Sequence, residues 1–88
     1  MPRYIIERDV AGIPAEELER LSKASIEVAD AMDGVVWVKS YVSDAEGKVY
    51  CEYDAPSPDA IREHARRSGL PVGQISEVSM EVSPDMFR

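Results

Sequence analysis

The chain has 88 residues, a formal charge of −7, one cysteine and one histidine. That length holds one domain with a modest core, for which pairing with a second copy is a common remedy. The acidic balance argues against nucleic acid and anionic membrane surfaces as partners, and the lone Cys51 excludes an internal disulfide.

The cysteine usage fits a reducing compartment. No signal-like apolar stretch follows Met1 and no apolar run reaches spanning length, so a cytoplasmic protein is expected. Arg3–Glu7 reads as a short strand with Tyr4 and Ile6 on one face and Ile5 and Glu7 on the other. Gly12-Ile13-Pro14 breaks it. Pro14 near the first helical position, with Glu16 and Glu17 complementing the helix dipole, predicts a helix to about Met32. Leu18, Leu21, Ser25, Val28, Ala29 and Met32 recur at helical spacing and define its buried stripe. Asp33-Gly34 ends it.

Val35–Val42 is the strongest predicted strand, rich in β-branched and aromatic residues. Strict alternation places Val36, Val38, Ser40 and Val42 on one face and Trp37, Lys39 and Tyr41 on the other. Ser43–Lys48 carries Asp44, Glu46 and Gly47, the chemistry of a hairpin turn. Val49–Tyr53 follows as a strand. Val42 and Val49 must share a face, which sets Ser43 opposite Lys48, Tyr41 opposite Tyr50 and Lys39 opposite Glu52. A Tyr41–Tyr50 contact and a Lys39–Glu52 ion pair are expected from that register.

Ser57-Pro58 starts a second helix and Gly69 stops it. Ile61, Ala65 and Ser68 point inward, with His64 at the edge of that face. A last strand is predicted over about Gln74–Val82, with Val78, Met80 and Val82 inward and Glu77, Ser79 and Glu81 outward. The tail Ser83–Arg88 reads as loose, with Met86-Phe87 available for docking on a partner. The order βαββαβ predicts a ferredoxin-like α+β fold, a four-stranded antiparallel sheet with both helices on one face. The opposite face is then bare. It is expected to carry Ile5, Glu7, Trp37, Lys39, Tyr41, Tyr50, Glu52, Glu77, Ser79 and Glu81. Aromatic side chains at the centre of an uncovered sheet call for a partner, and two such faces packed together would leave a polar-lined space between them.

The opening PRYIIERD, the strand WVKSYVSD, the run KVYCEYDAPSPDAIREHARRSGLP and the close ISEV resemble a family of small bacterial proteins. Its members are usually described as a domain of unknown function, and some as nickel-binding. The resemblance covers Pro2 to about Val82. The family is similar in architecture to dimeric α+β barrels, so the resemblance implies a homodimer and divalent-metal binding, nickel being the metal, without implying an enzyme. One departure stands out. The family pattern often has histidine where this chain has Lys39, and a protonated lysine does not ligate a metal.

Each candidate has a plainer alternative. Imidazole suits nickel, yet a lone helical histidine such as His64 more often serves the core, and no His-x-x-His or Cys-x-x-Cys spacing accompanies it. Glu7, Glu52, Glu77 and Glu81 are placed to gather carboxylates for a hard cation or for acid–base work; alternatively they form a salt-bridged strand face with Lys39 and Arg8. Trp37, Tyr41 and Tyr50 suit either a flat organic ligand or an ordinary dimer interface. Cys51, expected to face the helices with no base beside it, reads as an inert buried thiol. Arg62, Arg66 and Arg67 read as a solvated helix face.

Two functions of different classes follow. The first is a cytoplasmic homodimeric binding protein that takes a divalent cation such as nickel through Glu7, Glu52 and His64. The second is a dimeric barrel enclosing a small aromatic metabolite, as in cofactor-free monooxygenases of similar architecture. There Trp37, Tyr41 and Tyr50 line the pocket and Lys39 or Glu52 makes the polar contact; this is analogy of fold. A purely interacting dimer is the plainest option.

Overall fold

The computed structural model describes residues 1–88. Its elements are β1 (Arg3–Asp9), α1 (Ala15–Ala31), β2 (Val36–Ser43), β3 (Lys48–Asp54), α2 (Pro58–Ser68), β4 (Ile75–Val78) and a final 3-10 turn, Pro84–Phe87. The strands form one sheet in the order β2-β3-β1-β4, and each neighbouring pair is antiparallel. This is the ferredoxin-like α+β fold. No helix is long and apolar enough to cross a membrane.

Local chemistry explains the element ends. The Ser57 hydroxyl accepts from the Ala60 N–H at 3.2 Å and Pro58 follows it, so α2 starts there. Gly69 takes the left-handed conformation at φ +81°, and its N–H and that of Leu70 both reach the Ala65 carbonyl. On the outer side of α2, Glu63 accepts from Arg66 and Arg67, whose guanidinium groups hold its carboxyl down at about 2. The β2–β3 turn is pinned to the end of β1 by Val10 N–H donating to the Gly47 carbonyl at 2.9 Å. Gly47 sits at φ +67°, and a Cβ there would lie 2.8 Å from Ala11 Cβ, so both conformation and space require glycine.

The core lies between the helices and the sheet face that carries Tyr4, Ile6, Val49, Cys51 and Tyr53. Leu21, Ser25 and Ala29 from α1 and Ile61, His64, Ala65 and Ser68 from α2 close it. Full burial of a side chain the size of Ile6, Leu21 or Ile61 contributes about 1.5–3 kcal/mol.

β4 is shorter than the alternation suggests. Val78 is the partner of Arg3, the first residue of β1, so no β1 strand remains for Ser79–Val82 to pair with. The register also inverts its faces: Ile75 and Glu77 lie opposite Ile6 and Tyr4 on the helix side, while Ser76 and Val78 lie on the open side. Met80 and Val82, expected inward, are exposed, as are Met86 and Phe87 in the 3-10 turn.

Candidate functional site

The open face is built on β1 and β3. Ile5 pairs with Glu52 and Glu7 with Tyr50, which makes these four side chains mutual neighbours. On β2 the register is Lys39 opposite Glu52, Tyr41 opposite Tyr50, Val42 opposite Val49 and Ser43 opposite Lys48. Lys39, Tyr41, Tyr50 and Glu52 therefore share one face, as the parity of Val42 and Val49 requires.

Trp37 does not join them. A bulge between Trp37 and Lys39 leaves Val38 unpaired and makes Trp37 the partner of Tyr53, a helix-side residue. One inserted residue turns every side chain before it to the other face. The Trp37 indole N–H donates to Ser40 Oγ at 2.9 Å beneath the sheet, and Val36 comes to the outside, 48% exposed. Glu77 is likewise absent from the open face. Burial of the phenol, and secondarily the Glu77 carboxylate opposite it, raises the Tyr4 hydroxyl above its ordinary value. Ser79 and Glu81 lie beyond β4, with Glu81 3.7 Å from Arg3 Nη1.

The carboxylates on this face already have cations. Glu52 lies 2.8 Å from Arg3 Nη1, and Asp54 accepts from Arg3 Nε at 2.9 Å, which holds the Asp54 carboxyl below its usual range. Glu7 pairs with Lys48, which raises the Lys48 ammonium above its ordinary value. The expected Lys39–Glu52 ion pair does not form: Arg3, on the neighbouring strand, takes Glu52, and the Lys39 ammonium instead stands 5.8 Å from the Tyr41 ring centroid.

His64 is on the far side of the sheet and fully buried. Its Nε2 lies 3.0 Å from the Ser25 carbonyl, and its ring meets Tyr53 edge-on at 5.0 Å between centroids. Burial depresses its pKa below the ordinary histidine value, an effect partly opposed by the Ser25 carbonyl. A neutral ring donating Nε2–H to that carbonyl fits all three observations. Tyr53 completes the cluster, its hydroxyl 2.7 Å from Ser25 Oγ. The structure thus places Glu7 and Glu52 on one face, each with its own cation, and separates His64 from both.

Arg8, expected among the partners of the outer carboxylates, also faces inward and is 1% exposed. The signal was present in the sequence, because Tyr4, Ile6 and Arg8 alternate on one face of β1. Arg8 lines a cavity of about 230 Å³ between α1 and the sheet, shared with Trp37, Leu18 and Leu21. Cys51 is buried beside it and accepts a hydrogen bond from Arg8 Nε at 3.3 Å.

With strand order, register and open face in view, the chain can be set beside known proteins. The family model described as nickel-responsive protein SCO4226-like matches residues 4–78. The chain belongs to this family. Among solved structures, that of SCO4226 from Streptomyces coelicolor A3(2) is similar, with a TM-score of 0.81 and 22% identity over 91% of this chain and 99% of that one. At that identity the likeness is one of fold. No curated protein matches the chain.

The family's description raises nickel directly, and this chain's donors do not fit it within a single chain. Nowhere do three histidine, cysteine, aspartate or glutamate side chains gather in a metal-holding group. The only imidazole is buried beneath the sheet, and the thiol lies there too. Glu7 and Glu52 each already face a cation. Nickel favours imidazole over bare carboxylates, and removing Arg3 or Lys48 from its partner would add to the cost.

Proposed function

We propose that this protein is a homodimeric binding protein of the nickel-responsive family, joined through its open sheet faces, in which tight nickel binding has been lost. The observation that carries the reading is the composition of that face. Ile5, Tyr41 and Tyr50 form an apolar strip, with Val36 and Val38 exposed beside it on β2. Arg3, Lys39 and Lys48 lie among Glu7, Glu52 and Asp54 on the same face. A two-fold contact pairs a patch with itself, and a patch of mixed sign around an aromatic centre is self-complementary. Tyr41 is 57% exposed, which a partner sheet would reverse.

The loss of nickel rests on Lys39. It stands on this face, opposite Glu52, as a cation with no carboxylate partner of its own. A positive charge there repels a divalent ion that Glu7 and Glu52 would otherwise attract. Isothermal titration with nickel, on tag-free protein and on Lys39→His, tests this. The wild type is expected to bind no more tightly than an unrelated protein of equal acidity, and Lys39→His is expected to gain saturable binding. Tight binding by the wild type would overturn the proposal.

A further inference from the structure

On the covered side of the sheet, independent of the open face, Arg8 is a buried cation without an anion. Its guanidinium is anchored at two points: Nη1 donates to the Pro71 carbonyl at 2.8 Å and Nε to Cys51 Sγ at 3.3 Å. Nη2 is buried and has no acceptor. No carboxylate pairs with the side chain, and its Cζ lies 5.8 Å from the centroid of the Tyr53 ring. A carbonyl and a sulfur are weak compensation for a charge removed from water, and arginine does not escape by losing its proton.

The Arg8 side chain is among those that line the cavity of about 230 Å³ beneath α1. The other walls are mostly apolar, with Ile13, Leu18, Leu21, Trp37 and Leu70 prominent. Val42, also in the wall, is 53% exposed, so the cavity reaches solvent at the β2 edge. An apolar space of this size with a single uncompensated cation selects for a compact molecule that carries one negative charge and an apolar body.

We propose that this cavity binds a small monocarboxylic acid, its carboxylate on the Arg8 guanidinium and its hydrocarbon part against Leu18, Leu21 and Trp37. Nη2 is the nitrogen with no acceptor to lose. The guanidinium is planar, so turning it towards the cavity also shifts Nε and Nη1 on Cys51 Sγ and the Pro71 carbonyl, and the carboxylate takes over as their acceptor. A phosphate suits the site less well. Its second charge and third oxygen would meet apolar wall, with one free guanidinium nitrogen to receive them. A neutral alcohol or amide would fill the volume and leave the charge unanswered.

Trp37 is the only tryptophan and lines the cavity, so its emission reports occupancy. The test titrates hexanoate and benzoate against hexanol, benzamide and inorganic phosphate, at neutral pH and constant ionic strength, by Trp37 fluorescence and by calorimetry. Saturable binding of the carboxylates is expected, with each neutral analogue and phosphate weaker by about tenfold or more. Arg8→Met, which replaces a buried charge by an apolar chain and should fold, is expected to erase the difference between hexanoate and hexanol. If that variant fails to fold, the wild-type comparison decides alone. Equal binding of acid and alcohol, equal binding of phosphate, or no saturable binding of either acid would overturn the proposal. A series from butyrate to dodecanoate separates compact acids from lipid acids. An optimum near hexanoate supports a bounded cavity, and affinity still rising at dodecanoate contradicts it.

Discussion

The cluster formed by Ser25, Tyr53 and His64 allows a quantitative test of how the two helices are held to the sheet. Tyr53 is 1% exposed, and its hydroxyl lies 2.7 Å from Ser25 Oγ. Tyr53→Phe removes one buried hydrogen bond and is expected to cost about 1–1.5 kcal/mol. Ser25→Ala leaves the Tyr53 hydroxyl buried with no partner in α1, a loss of about 1–3 kcal/mol, offset by roughly 0.5 kcal/mol from alanine's better helix propensity. The bond from His64 survives both changes, because Nε2 lies against the Ser25 backbone carbonyl, at 3.0 Å. The double variant strands no hydroxyl. Its destabilisation should therefore fall short of the sum of the single ones by about 0.5–1.5 kcal/mol. Urea denaturation followed by circular dichroism, at one fixed protein concentration because a dimer's stability depends on it, measures all four proteins. Additivity to within about 0.3 kcal/mol would show that the two hydroxyls do not interact, and would refute the reasoning.

Three further outcomes follow from the same structure. Burial depresses the His64 pKa, so the unfolded chain takes a proton more readily than the folded one. The stability this site contributes is complete above about pH 6.5 and falls as pH drops through that value, until the folded site itself protonates. His64→Gln should flatten the fall in urea midpoint between about pH 7 and pH 5, and an unchanged slope would exclude His64 as its source. Gly47→Val places a side chain at φ +67° and a Cβ 2.8 Å from Ala11 Cβ, so it should lower stability by about 1–3 kcal/mol, read as a fall in thermal midpoint. Trp37 faces α1 and not the open face, so dilution of the proposed dimer to monomer should leave its emission unchanged. A red shift on dilution would place it at the interface after all.

The fold was legible in the sequence because each element carries its own period and its own stop. The shared face of Val42 and Val49 was enough to set the β2–β3 register from Lys39 to Ser43. Two parts were not legible. Strict alternation put Trp37 beside Lys39 and Tyr41, but the bulge at Val38 reverses it, and no residue type there announces a bulge. In β4, the run Val78, Met80, Val82 looked like a buried stripe. What decides its faces is the pairing of Val78 with Arg3, a long-range contact that leaves Met80 and Val82 without a strand to lie on. Both errors moved residues of the candidate site. Trp37 and Glu77 left the open face, and the carboxylates that remained were found with Arg3 and Lys48.

Arg8 shows the reverse case. Its inward position was implied by its parity with Tyr4 and Ile6, but a charged residue at the end of a strand reads by default as solvated. Only the packed structure shows that the guanidinium is enclosed and that no carboxylate reaches it.

The joining of two open sheet faces is the central claim, and sedimentation equilibrium tests it most directly. The measurement compares the wild type with Tyr41→Glu, on the open face of the edge strand β2, and with Ile26→Lys, an equally drastic change at an exposed position on α1. A dimer is predicted for the wild type and for Ile26→Lys, and a folded monomer for Tyr41→Glu. A monomeric wild type, or a Tyr41→Glu variant that still dimerises as tightly, would contradict the account.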